Sequence, residues 1–207
     1  MKTSPDEKTD RPPDGAGPRL KVVPFKRTHL DILSPREAEL YAFGLVGHDP
    51  DRAAALASQG PAFTLLAFWQ GRDLEDDDGP GETGAGNGQG LVGEAVTAVA
   101  CGGIMLTPEA ADGTCVGDAW ALTGKGVDRM PVAFHRAVRQ GLASIMAAHR
   151  VRRVQAICLA SHEQARRWLE RLGFTRESRE PGMAGVVPGE RTHLYAIVPG
   201  DLGEETA

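Results

Sequence analysis

The chain has 207 residues, 41% of them apolar, and a formal net charge of −5. That length suits one domain with a real core plus short tails, and the acidic balance argues against a generic nucleic-acid-binding surface. No apolar run approaches the roughly 18 residues of a membrane span, and the opening MKTSPDEKTDRPPDGAGPR lacks the apolar stretch of a secretory signal.

Residues 1–19 are polar and rich in Pro, Asp and Lys, so they cannot bury enough surface to offset ordering and read as a tail. The domain follows over residues 20–199, and residues 200–207 form a second tail. Lys21 to Phe25 is a first strand. Thr28 is the expected N-cap of a helix through Leu30 to Tyr41, interrupted at Ser34-Pro35. A second helix has Asp49 as N-cap, Pro50 at its first position and Gly60 as its stop. Ala62 to Gln70 is a strand with apolar residues on both faces.

Gly71 to Gly90 is acidic, glycine-rich and aperiodic, which predicts a solvated hairpin insertion. A calcium loop is the rival reading, but position twelve counted from Asp73 is Gly84, which has no side-chain ligand. Leu91 to Leu106 is a long strand with a bend expected at Gly102-Gly103. A further strand centres on Trp120. The helix from Pro131 to His149 carries one apolar stripe, Phe134, Val138, Leu142, Ile145 and His149. Arg152 to Ala160 is a buried strand. The next helix is expected to be capped by Ser161 and stopped by Gly173, with Ala165, Trp168, Leu169 and Leu172 facing the core. Thr192 to Val198 is the last strand. The succession predicts an α/β fold: a mixed sheet flanked by helices, with a β-α-β-α-β C-terminal half.

ARRWLERLGF, the helix ending in Leu-Gly-Phe after a buried strand, resembles the second motif of the GNAT family of acetyl-CoA-dependent N-acetyltransferases. The likeness covers Trp120 to Val198. A finer resemblance is to the gene-13 family of short-tailed phages. It rests on His29, Asp31, Ile32 and Leu33, then Gly102-Gly103, then Trp120 and Thr123 ahead of a long helix. This implies a protein of virion assembly or of the virion interior with reduced or absent acetyltransferase activity, and phage structural proteins or other copies of itself as partners. Its location is then cytoplasmic or virion-associated. The alternative is an active acyl-CoA N-acyltransferase with an unusual pyrophosphate loop, and a third reading is a module that only binds acyl-CoA.

The resemblance also sets a chemical test. A GNAT pyrophosphate loop is Arg/Gln-x-x-Gly-x-Gly/Ala, where glycines admit a close backbone approach at a helix N-terminus. Counted from Arg129, the glycine places hold Val132 and Phe134. This predicts a groove plugged by side chains. Gly124-Lys125-Gly126 is the alternative anion nest, so Gly124, Lys125, Gly126 and Arg129 are the candidate cofactor-binding residues for acetyl-CoA. The family's tyrosine acid corresponds to Leu169, and an asparagine near the cofactor corresponds to His162. His162 and Tyr195 are the candidate catalytic residues. No metal is expected: His135 and His149 stand fourteen residues apart on the long helix, and Cys101, Cys115 and Cys158 have no metal-site spacing. They read as free thiols. Arginines such as Arg153, Arg166 and Arg167 make the C-terminal half locally basic, either as solvated helix charge or as a patch for an anionic partner. Trp168 is read as a core anchor, and its truncation to alanine is expected to cost ~3–5 kcal/mol.

Overall fold

The computed structural model describes residues 19–37, 39, 50–69, 95–108, 111–185 and 189–202. Both predicted tails, apart from Arg19, Gly200, Asp201 and Leu202, and the insertion 71–90 lie outside these residues. Among the described residues the strands are β1 (Arg19–Pro24), β2 (Ala62–Trp69), β3 (Ala95–Pro108), β4 (Cys115–Thr123), β5 (Val151–Leu159), β6 (Thr175–Arg176), β7 (Met183–Ala184) and β8 (Arg191–Ile197). The helices are α1 (Pro50–Ala57), α2 (Pro131–Ala148) and α3 (Glu163–Leu172). The strands make one sheet in the order β1-β2-β3-β4-β5-β8-β6, with β7 also on β8. Only β4 and β5 are parallel, as a strand–helix–strand crossover through α2 requires; the other pairs are antiparallel.

Two cores lie on one face of the sheet, under α2 and α3. One gathers Leu142, Met146, Val154, Leu169, Leu172 and Tyr195, and the other Leu65, Val99, Val127 and Phe134. Trp168 packs against both, with its ring stacked on Phe134 at 5.2 Å and 24°. A third core, with Leu30, Ala53, Trp120 and Leu122, fills the opposite face beneath α1. On α2 the stripe is Phe134, Leu142 and Met146; His149 is exposed and ends the helix as its C-cap.

Several local expectations are corrected. The segment after β1 is a 3₁₀ turn over Arg27–Ile32 whose N-cap is Lys26, not Thr28. Glu37 and Glu39, beyond Pro35, are helical, and the rest of the expected helix to Tyr41, like the Asp49 cap, lies outside the described residues. The Lys26 N–H donates to His29 Nδ1 at 3.1 Å, and Pro35 disfavours helical backbone at Ser34. β3 runs through Gly102-Gly103 without a break. The irregularity falls instead at Val99, where β2 and β3 slip by one residue between Leu65↔Ala100 and Leu66↔Ala98. The glycines serve close packing: a Cβ on Gly103 would lie 2.6 Å from the Pro61 carbonyl oxygen. α3 is capped at His162, while Ser161 Oγ donates to Glu190 at 3.2 Å. Gly173 closes α3 as predicted, at φ 101°, with its N–H on the Glu170 carbonyl and that of Phe174 on Leu169.

Candidate active site

β4 and β5 pair over only four positions, from Cys115↔Val151 to Asp118↔Gln155. Beyond them Ala119–Thr123 has β3 as its one strand partner and Ala156–Leu159 has β8, while the Thr123 carbonyl accepts from the Arg36 N–H and the Leu159 carbonyl from the His162 N–H, each at 3.1 Å. The two strands therefore splay, and each turns an unpaired ladder edge toward the gap. A cavity of about 1140 Å³ occupies it, larger than the ~300–1,000 Å³ of most small-molecule sites. Phe134, Val138 and Trp168 wall it on the α2–α3 side. Arg36, Glu39, Arg52, Leu56 and Trp120 wall it on the α1 side.

Both residues at the expected glycine places line this cavity. Val132 lines the cavity but is 62% exposed, and Phe134 turns inward to stack on Trp168. Gly124-Lys125-Gly126 does not form an anion nest. The Gly124 N–H donates to the Val99 carbonyl at 2.8 Å and the Lys125 N–H to the Ser34 carbonyl at 3.2 Å. A Cβ on Gly124 would sit 2.8 Å from that Ser34 oxygen, and one on Gly126 2.7 Å from Val99 Cγ1. Gly124 is required by its close approach to Ser34, and Gly126 by packing against Val99 of β3. The Arg129 guanidinium lies over the Trp69 ring at 5.3 Å. The amides that do head a helix beside the cavity belong to the first turn of α2, where Pro131 is the first residue.

Of the candidate catalytic residues, His162 lines the cavity, half-buried at the start of α3. Tyr195 is fully buried in the core and is not among the cavity residues; its hydroxyl accepts from Arg166 Nε at 3.4 Å and reaches Glu170 at 3.5 Å, tying α3 to β8. Leu169, at the tyrosine position of the resemblance, is buried in the same core. Arg153 pairs with Glu177 and Arg167 with Glu163, so part of the local basicity is internally neutralised.

The residue that sequence reasoning missed is Glu39. Thr123 Oγ1, at the end of β4, donates to Glu39 Oε1 at 2.7 Å across 84 positions of sequence. Burial pushes the Glu39 carboxyl above its ordinary value. The Thr123 hydrogen bond and the charges of His162 and Arg36 oppose that shift. Cys158, on the unpaired edge of β5, is pushed up to about 11, first by burial and then by the charge of Glu39. Glu39, Thr123, Cys158 and His162 thus share one stretch of wall and sense one another electrostatically. Arg36, whose carbonyl accepts from the Glu39 N–H at 3.0 Å, is held by Asp128 at 2.5 Å. Among the described residues no cluster of His, Cys, Asp and Glu could hold a metal, and no helix is long and apolar enough to cross a membrane.

This mixed sheet of eight strands flanked by helices matches the fold of GNAT acetyltransferases of known structure. The chain superposes on a GNAT-family acetyltransferase from Bacillus anthracis with a TM-score of 0.55 and 12% identity, over 89% of this chain and 98% of that one. A spermidine N-acetyltransferase variant from Vibrio cholerae gives 0.54 and 8%, over 90% and 99%. A Salmonella typhimurium protein assigned as an acetyltransferase and solved with acetyl-CoA gives 0.50 and 12%, over 91% and 96%. No protein-family model and no curated protein matches the sequence.

Proposed function

We propose that the protein is an acyl-CoA-dependent N-acyltransferase in which Glu39 is the general base. One observation carries this reading: a buried carboxylate of raised pKa on the wall of an open cleft between two unpaired strand edges. The residues present fit the cofactor. The edges of β4 and β5 offer backbone donors and acceptors to an extended amide-bearing chain. The Val132 and Ala133 amides in the first turn of α2, between Pro131 without an N–H and Phe134 bonded to Met130, are the donors placed for phosphate. Bound there, acetyl-CoA would supply an acyl group activated as a thioester. Glu39, when ionised, takes a proton from the ammonium of the acceptor and so frees the amine lone pair. Thr123 fixes the carboxylate by its hydrogen bond, and its donation keeps Oε1 oriented. His162 and the Cys158 thiol are the other proton carriers on that wall. Their places compensate for Leu169, which has no proton to give.

Two measurements test this. Thermal unfolding with acetyl-CoA at a hundredfold excess over Kd is expected to show stabilisation of ~2.7 kcal/mol. Glu39→Gln is expected to lower kcat by ~10²–10⁴ while keeping the fold. No shift at millimolar acetyl-CoA sinks the reading. A second reading keeps the fold without turnover, as a gene-13-type phage protein in virion assembly or the virion interior. It is supported by Val132 and Phe134 at the glycine places and by Leu169, and it expects no thiol release with any amine.

A further inference from the structure

The wall on the α1 side identifies a class of acceptor, an inference that rests on the acyltransferase reading. The Glu39 N–H bonds the Arg36 carbonyl, so the two residues stand one helical turn apart, and both side chains line the cavity. Side chains at that spacing have Cβ atoms about 5–6 Å apart. An amino group and a carboxylate on one carbon, each reached through a hydrogen bond of about 2.8 Å, span such a gap. Arg36 is suited to the carboxylate. Its guanidinium has five N–H donors in a planar fork, and Asp128 engages only the Nη2 nitrogen. The Arg36 side chain is 18% exposed, so the contact would be largely shielded from water.

The acids on this side are not equally available to an amine. Arg52 of α1 lines the same wall as Arg36, Asp128 is tied to Arg36, and Asp118 accepts from Gln155 at 2.6 Å. With Asp128 and Asp118 so engaged, Glu39, bonded to the neutral Thr123 hydroxyl, is the carboxylate left to face an amine. The remaining wall, Leu56, Met105, Trp120 and Ile157, is apolar. We infer that the acceptor is an α-amino acid with an apolar side chain, its carboxylate held by Arg36 and its amine presented to Glu39.

Thiol release from acetyl-CoA is to be measured with L-leucine and L-phenylalanine, with isoamylamine and phenethylamine as their decarboxylated counterparts, and with spermidine. The amino acids are expected to exceed their counterparts by about tenfold or more in kcat/KM, the range of a charge-assisted pair. Arg36→Gln should lower kcat/KM for the amino acids about tenfold more than for the decarboxylated amines, the difference lying in KM, because the loss of its charge beside Glu39 acts on both classes alike. Arg36→Lys, which keeps the charge but loses the planar fork, provides the same comparison if Arg36→Gln does not fold. Preference for spermidine or for the decarboxylated amines overturns the acceptor assignment and leaves the acyltransferase standing. An equal loss for both amine classes in Arg36→Gln reduces Arg36 to a structural role and also overturns it. No thiol release with any amine overturns both.

Discussion

Trp168 joins the two cores beneath α2 and α3, so its truncation tests the helix packing that walls the cleft. Trp→Ala at a buried site costs ~3–5 kcal/mol through lost transfer energy and a residual cavity. The structure lowers that figure. The Trp168 Nε1–H is buried without a hydrogen-bond partner among the described residues, and such a donor costs ~1–3 kcal/mol in the folded state. Removing the indole relieves that cost, so Trp168→Ala is expected to destabilise by about 2 kcal/mol. Trp168→Phe separates the terms. It keeps a ring to stack on Phe134 and discards the orphan donor, and should stay within about 1 kcal/mol of wild type. Urea denaturation followed by circular dichroism measures both, with the slope m unchanged if only stability moves. An unchanged midpoint for Trp168→Ala would refute the placement of α3. A loss for Trp168→Phe as large as that for Trp168→Ala would show that the indole N–H is engaged.

The remaining predictions concern the cleft. The folded-state pKa of Glu39 lies above the unfolded value, so its contribution to stability is full below the unfolded pKa and is lost as pH rises through the folded one. Glu39→Gln should therefore be more thermostable than wild type above about pH 4.3, with the gap closing in acid; melting temperatures across pH check the sign. Activity runs the other way, because the base must be ionised, and rises with pH through the same raised pKa. Gly124→Ala is expected to cost ~1–3 kcal/mol, since its Cβ would press on the Ser34 carbonyl oxygen. Lys125→Ala should leave the acetyl-CoA thermal shift unchanged; loss of that shift would restore the anion-nest reading.

Periodic segments were legible. The Ala165, Trp168, Leu169 and Leu172 stripe on α3 and the Gly173 stop follow from side-chain spacing and left-handed backbone. Strands β2, β4, β5 and β8 came from apolar runs bounded by turn residues. The two-residue strands β6 and β7 did not, because pairing with β8 rather than any local pattern creates them. His149 read as stripe but ends α2 in solvent, since one more step of the period passes the helix end. Glu39 could not be picked from Glu37: both sit in one polar stretch, and only the approach of Thr123 from 84 residues away buries one of them.

The absent glycines illustrate a different limit. The expectation of a plugged groove treats Val132 and Phe134 as if both faced the cofactor. Residues two apart on a helix project about 200° apart, so one cannot point where the other does. Phe134 takes the core direction and stacks on Trp168; Val132 takes the solvent direction. What the substitutions remove is close backbone approach at those two positions, which affects how tightly a phosphate is held. They leave untouched the gap between β4 and β5, whose width is set by strand pairing that stops at Asp118 and Gln155. Affinity for the cofactor and capacity for proton transfer are therefore separable in this chain: one depends on the head of α2, the other on Glu39 and Thr123. A weakened pyrophosphate contact would appear as a high Kd for acetyl-CoA with kcat still dependent on Glu39. The missing motif alone does not establish loss of catalysis.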